Sequence, residues 1–217
     1  MPLPFDDVIT SPEELRTLYR HPHPLVERKK IDHLDDGCRE VVEAATLVLV
    51  GTSDASGRCD VSPRGGPAGF VTVLDPTRLA IPDLGGNNLL DSIENLLVNP
   101  HIGLLFVLPG RDETLRVEGR AWLTTQSDVL DRFTAELRRP KAAIGVEVER
   151  AFVHCAKAFR RGRVWDPSSW EPDAAPSAAE LLVRHGRLDV DAEAVEADLE
   201  AGYRAALAEE RTDGRAS

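Results

Sequence analysis

The sequence predicts a mainly β domain with flanking helices, an α+β barrel, on three observations. Short β-branched or alternating runs recur through the middle of the chain, glycine- and proline-rich turns separate them, and helical periodicity is confined to the segments before, between and after them. The chain of 217 residues, 42% hydrophobic and 29% charged, suits one core with an added helical tail. The expected organisation is N-terminal helices over 1–45, a barrel over 46–167 and a C-terminal extension with a helix over 168–217.

In chain order, Ser11-Pro12-Glu13-Glu14 joins a capping hydroxyl, a proline in the first turn and acids at the positive helix end. Leu15, Leu18 and Tyr19 give that helix an apolar side, and a second helix is expected from about Pro24 to Asp32. Thr46 to Val50 reads as a strand entering a hairpin at Gly51 to Gly57, with Arg58 to Ser62 as its partner. In Pro63-Arg64-Gly65-Gly66-Pro67, two prolines and two glycines argue against a regular ladder.

Phe70 to Leu74 and Arg78 to Ile81 form a strand pair around Asp75-Pro76-Thr77. A glycine-rich loop follows, and Leu89, Leu90, Ile93, Leu96 and Leu97 then recur at helical spacing up to Asn99-Pro100. Ile102 to Leu108 and Thr114 to Thr124 read as longer strands, the second alternating Leu115, Val117, Gly119 and Ala121 with Arg116, Glu118, Arg120 and Trp122. Ser127 is expected to cap a helix through about Arg138, and Ile144 to Val153 is the last strand. Ala192 to Glu210 carries a helical pattern in Val195, Leu199, Tyr203 and Leu207, and Arg211 to Ser217 are expected to fray.

A formal net charge of -11 opposes non-specific attraction to nucleic acid or to an anionic bilayer, so a phosphate ligand needs a local basic pocket. With no apolar run of spanning length and no secretory start, a cytoplasmic protein is expected, with no membrane or nucleic-acid partner. Cys38, Cys59 and Cys155 lack the spacing of a disulfide framework or a zinc cluster, the six histidines are scattered, and no metal is expected. Without G-x-S-x-G, a hydrolase triad has no local support.

Gly85-Gly86-Asn87-Asn88 before a helix is chemically the clearest anion site, because free amides and the positive helix end attract phosphate. An ordinary turn is the competing reading. Ser62-Pro63-Arg64 adds a guanidinium suited to bidentate phosphate recognition, or else a solvated arginine. Arg116 on its strand is open to the same two readings. Lys157, Arg160, Arg161 and Arg163 precede Trp165, which suits either a ligand contact or the core.

Taken together, Asp60-Val61-Ser62-Pro63-Arg64-Gly65-Gly66, Leu79 to Asn88, Glu113 to Ala121, His154 to Ala158 and Trp165-Asp166-Pro167 resemble the FMN-binding pyridoxamine 5'-phosphate oxidase-like superfamily. The resemblance covers roughly Thr46 to Pro167 and points to a bacterial branch of unassigned substrate. It implies a six-stranded split β-barrel, FMN as cofactor and a homodimer with FMN at the interface. It places the FMN phosphate on Gly86, Asn87 and Asn88, where true pyridoxamine phosphate oxidases carry serine, arginine and lysine. The missing charge then falls to Arg64, next to Ser62, and to Arg116.

By the same resemblance Pro82 and Asp83 lie beside the isoalloxazine ring and Thr114 near its polar edge, while Arg163 and Trp165 fall near the region that crosses to the partner. The implied activity is an FMN-dependent oxidoreductase acting on an unidentified small molecule, with no catalytic residue assigned. A non-catalytic flavin-binding or storage protein, and a split barrel that has exchanged FMN for F420 or haem, are the alternatives.

Overall fold

A computed structural model describes residues 5–133 and 137–210. Seven antiparallel strands form one sheet: β1 (Leu47–Ser53), β2 (Cys59–Gly65), β3 (Thr72–Asp75), β4 (Arg78–Pro82), β5 (His101–Val107), β6 (Thr114–Thr124) and β7 (Ala143–His154), in the order β2-β1-β5-β6-β7-β4-β3. This corrects the expected six-stranded barrel. The hairpin partner β3 adds a strand beyond β4, and no ladder joins the two edge strands β2 and β3, so the sheet is not closed.

The β1–β2 ladder runs without a break from Ser53↔Cys59 to Leu47↔Gly65, through Pro63. The expectation that Pro63 and Gly65 would rule out a regular ladder is therefore wrong. The reason is position: on an edge strand, a proline that cannot donate faces away from the ladder at no cost to the sheet.

Burial along β1 and β6 alternates, as period-2 geometry requires. Val48, Val50, Leu79, Ile81, Leu104, Phe106, Leu115, Val117 and Val146 come from β1, β4, β5, β6 and β7 into one apolar cluster, around which the sheet coils. A smaller cluster of Ala80, Ala143, Val129, Leu130 and Phe133 forms where α5 (Ser127–Leu130) and the short 3₁₀ turn Asp131–Phe133 meet β4 and β7. Gln126, not Ser127, precedes that helix. Leu137 and Arg138 are not helical, and 134–136 lie outside the described residues, as do the expected frayed end 211–217 and most of the N-terminal start.

Helix α1 (Pro12–Leu18) starts on the Ser11 hydroxyl, which accepts from the Glu14 amide, but buries nothing: Leu15, Leu18 and Tyr19 are exposed. Helix α2 is shorter than expected, Pro24–Arg28, because Ile31 pairs as a β-bridge with Ala151 of β7. Helix α3 (Asp36–Ala44) was not anticipated. Asp35 caps it by accepting from the Cys38 amide at 2.8 Å, and Cys38, Val42 and Ala45 enter the main cluster.

Burial, with the neighbouring Asp35 carboxylate, pushes the Cys38 thiol up from 9.0 to about 11. A folded-state value above the unfolded one means that stability is full below pH 9 and is lost as pH rises from 9 to 11. Between pH 8 and pH 10 the protein should lose about 1.4 kcal/mol more stability than its Cys38→Ser variant. Urea titrations showing the same loss in both proteins would remove Cys38 as the cause.

The tail forms α6 (Lys157–Arg161), α7 (Ala178–Gly186) and α8 (Ala192–Glu210). Helix α7 begins with a reciprocal Ser177–Glu180 capping box and packs against α8. Among the described residues no helix is long and apolar enough to cross a membrane.

Candidate functional site

Alternation along β2 sends Asp60, Ser62 and Arg64 to one side and Val61 and Pro63 to the other. Opposite them on β1, Thr52, Val50 and Val48 are all buried, so the three polar residues lie on the core-facing side at the rim of the sheet. There Asp60 and Ser62 meet α4 (Asp91–Val98). The Ser92 and Ser62 hydroxyls both donate to Asp60 Oδ2, at 2.6 and 3.0 Å, and their oxygens lie 3.2 Å apart. Asn95 donates to Thr52 at 3.0 Å and Asn99 to Ser53 at 2.9 Å. Short hydroxyl–carboxylate bonds are the strong class, so this file holds the first turn of α4 against β2.

At its C-terminal end β4 stops on buried Pro82, opposite Ala143, and the Asp83 amide continues the pairing by donating to the Ala142 carbonyl at 3.0 Å. Burial raises the Asp83 carboxyl above its ordinary value, and the positive charges of Arg64 and Lys141 oppose that rise. The charge of Arg64 thus reaches Asp83, although their strands stand far apart in the sheet order. Among the described residues the only hydrogen bond of the Arg64 side chain is to the Pro63 carbonyl, at 3.0 Å.

The connection to α4 is exposed and bent. The Asn87 side chain accepts from the Leu89 amide at 3.0 Å, and Asn88 and Leu90 both adopt a left-handed backbone at φ 59°. For a bulky residue such as Leu90 this is strained, and strain of this kind gathers at functional sites. Among the described residues no side chain caps α4, and a Cβ on Gly86 would meet only open space. Free amides and the helix start make this loop a candidate anion site, with the charge of Arg64 reaching Asp83 just before it.

A second group occupies the other face. In register across the sheet, Pro63, Leu49, Leu105, Arg116 and Phe152 share one side, opposite to that of Arg64. The Arg116 guanidinium lies 5.5 Å from the Phe152 ring centre and 3.8 Å from Glu118. Thr114, 3% exposed, borders a cavity of about 290 Å³ that is also lined by Cys38, Val41, Leu115, Phe152 and Arg111. Burial, then Arg116 and Lys29, lowers the pKa of His154, which pairs with Thr114.

Trp165 donates its indole N–H to the Arg111 carbonyl at 2.8 Å and stacks on Phe159 at 5.7 Å. Arg163, left-handed at φ 48°, turns its guanidinium onto Asp166. Within one chain, then, Ser62 and Arg64 share one side of β2, Arg64 acts electrostatically on Asp83, and Pro82 to Asn88 follow one another along the chain, while Arg116 lies on the opposite side of the sheet and Arg163 and Trp165 are engaged with Asp166 and Arg111. Sequence reasoning missed Asp60, Ser92 and Lys141. The first two were visible only as polar residues among apolar spacing, and the third not at all.

Residues 34–155, more than half of the chain, match the family described as pyridoxamine 5'-phosphate oxidase. No curated protein matches the chain. Solved structures with a similar fold include HupZ from Group A Streptococcus, 20% identical, which covers 55% of this chain and 92% of its own with a TM-score of 0.46. An FMN-binding protein from Syntrophomonas wolfei is 12% identical over 54% of this chain and 88% of its own, with a TM-score of 0.40. HutZ, the heme storage protein from Vibrio cholerae, is 13% identical over 56% and 93%, also at 0.40.

Proposed function

We propose, because this chain belongs to the pyridoxamine 5'-phosphate oxidase family, that it binds FMN between two copies of itself and serves as an FMN-dependent oxidoreductase for a small molecule. What supports this reading is the charge of Arg64 reaching Asp83, which leads directly into the loop Gly85–Asn88. Among the described residues these segments offer a guanidinium with a single hydrogen bond to the chain, an uncapped helix start and an open glycine. These fit a phosphate, with Arg64 supplying the charge that Asn87 and Asn88 lack. When bound, FMN supplies the redox chemistry. The chain's own work is to orient it: Asp60 holds Ser62 and Ser92, and through them β2 and α4, so that Arg64 and the loop stay in register. Pro82 and Asp83 are the proposed ring contacts.

The dimer is supported by what a single chain leaves apart. Thr114 and Arg116 face away from Arg64, on a sheet surface where Val61 and Pro63 are exposed and Leu49 and Leu105 half-buried. A second copy laid on that surface would bring Thr114, Arg116 and, beside Arg111, Trp165 to the partner's flavin. An obligate contact buries about 2,000 Å² or more in total. Sedimentation of the purified, yellow protein should show a dimer with one FMN per chain. A monomer that keeps stoichiometric FMN at low micromolar concentration would sink the shared site. The absorbance spectrum, with identification of the cofactor released on denaturation, decides between FMN and F420 or haem, and steady-state oxidation of reduced nicotinamide separates an enzyme from a storage protein.

Asn87→Ala with Asn88→Ala should weaken FMN binding modestly, by about 0.5 to 1.5 kcal/mol per side chain. The Asn87 side-chain oxygen is engaged by the Leu89 amide, so part of that loss reflects a loosened loop. Calorimetry that gives equal affinities would assign the loop's role to its backbone amides.

A further inference from the structure

The C-terminal helix ends on the loop to which the reading above gives the phosphate. Among the described residues helix α8 has no buried residue and packs on α7, yet Glu210 is held by contacts outside the helix. The Arg138 amide donates to the Glu210 carbonyl at 2.7 Å, and the Glu210 carboxylate Oε1 stands 2.9 Å from the position a Cβ on Gly85 would take. A carboxylate is therefore laid against the bare backbone at the start of the anion-attracting loop, one residue before the open Gly86.

The composition of α8 sharpens the point. Between Ala192 and Glu210, Glu193, Glu196, Asp198, Glu200, Glu209 and Glu210 stand against a single cation, Arg204. Of these acids, Glu210 is the one laid against the candidate ligand loop. With no fully buried residue along α8, the segment is also of the kind that opens at low free-energy cost.

We propose that Glu210 is an internal anion competitor: its carboxylate occupies the Gly85 end of the loop, and the end of α8 must swing away before a phosphate group can settle there. The helix is then a strap over the phosphate end of the site, and a ligand bearing a dianionic phosphate displaces it more readily than one with a neutral head. This rests on reading Gly85–Asn88 as the phosphate loop.

The test uses the full chain, wild type and Glu210→Gln, titrated with inorganic phosphate while the amide signals of Gly85, Gly86 and Arg138 are followed by NMR. Glu210→Gln should bind phosphate roughly three- to tenfold more tightly. In the wild type, saturation should shift the Arg138 amide as its bond to the Glu210 carbonyl is lost. Equal phosphate affinity in the two proteins overturns the proposal, as does a loop whose glycine amides ignore phosphate in both. FMN is titrated last. If it binds neither protein although phosphate competes with Glu210, the cofactor reading falls and the competitor stands.

Discussion

Gly119→Ala should destabilise the protein by about 3 kcal/mol or more, at the upper end of what overpacking costs, or leave no soluble protein. A Cβ at this position would lie 2.0 Å from the Glu147 carbonyl oxygen and 3.0 Å from its carbon. Neither is the movable tip of a side chain. Both belong to the β7 backbone where the β6–β7 register shifts, between Glu118↔Arg150 and Gly119↔Val148. The bulge lets two long strands bend so that the first half of β7 pairs with β4 and the second half with Ile31. An alanine would force the strands apart at the point where they turn around the core. Urea denaturation of Gly119→Ala beside Gly103→Ala, whose Cβ would meet open space, isolates the close approach from the general cost of replacing a strand glycine. Similar midpoints for the two variants would refute it.

The sequence showed Gly119 only as a small residue in a buried alternation, because its ladder partner Val148 is 29 positions away. The same limit explains other successes and failures. Strand β6 could be read to its ends from Thr114 to Thr124, since its signal is an unbroken alternation, and α8 from Ala192 to Glu210, since its periodicity is uninterrupted. Helix α3 was hidden because Asp35-Asp36-Gly37 has the composition of a turn, although Asp35 with Cys38, Val42 and Ala45 is a capped helix with one apolar side. Strand β2 looked broken at Pro63 because a proline's tolerance depends on whether the strand is at an edge, which only the sheet order reveals. In the site, the residue types of Arg64 and the glycine loop were legible. The Asp60–Ser92 bond, which ties β2 to α4, spans 32 positions, and the opposition of Arg116 to Arg64 needs the register of four strands.

Arg64→Ala should weaken FMN binding by about 1.5 to 3 kcal/mol, roughly ten- to a hundredfold, with the fold retained. Retention is expected because the side chain is only half-buried and returns one hydrogen bond to its own strand, at Pro63. The loss is expected because a guanidinium paired with a phosphate forms charge-assisted, forked bonds that neutral amides at Asn87 and Asn88 do not replace. Two comparisons make the result specific. Arg64→Lys keeps a point charge but not the fork and should fall between wild type and alanine. Riboflavin, which lacks the phosphate, should lose far less affinity than FMN. Removing Arg64 also withdraws a cation that opposes the burial-driven rise of the Asp83 carboxyl, so the Asp83 pKa should climb further in the alanine variant, followed by its carboxyl NMR signal. Unchanged FMN affinity in a folded Arg64→Ala protein would remove Arg64 from the site, and an equal loss for riboflavin would move its role from the phosphate to the ring.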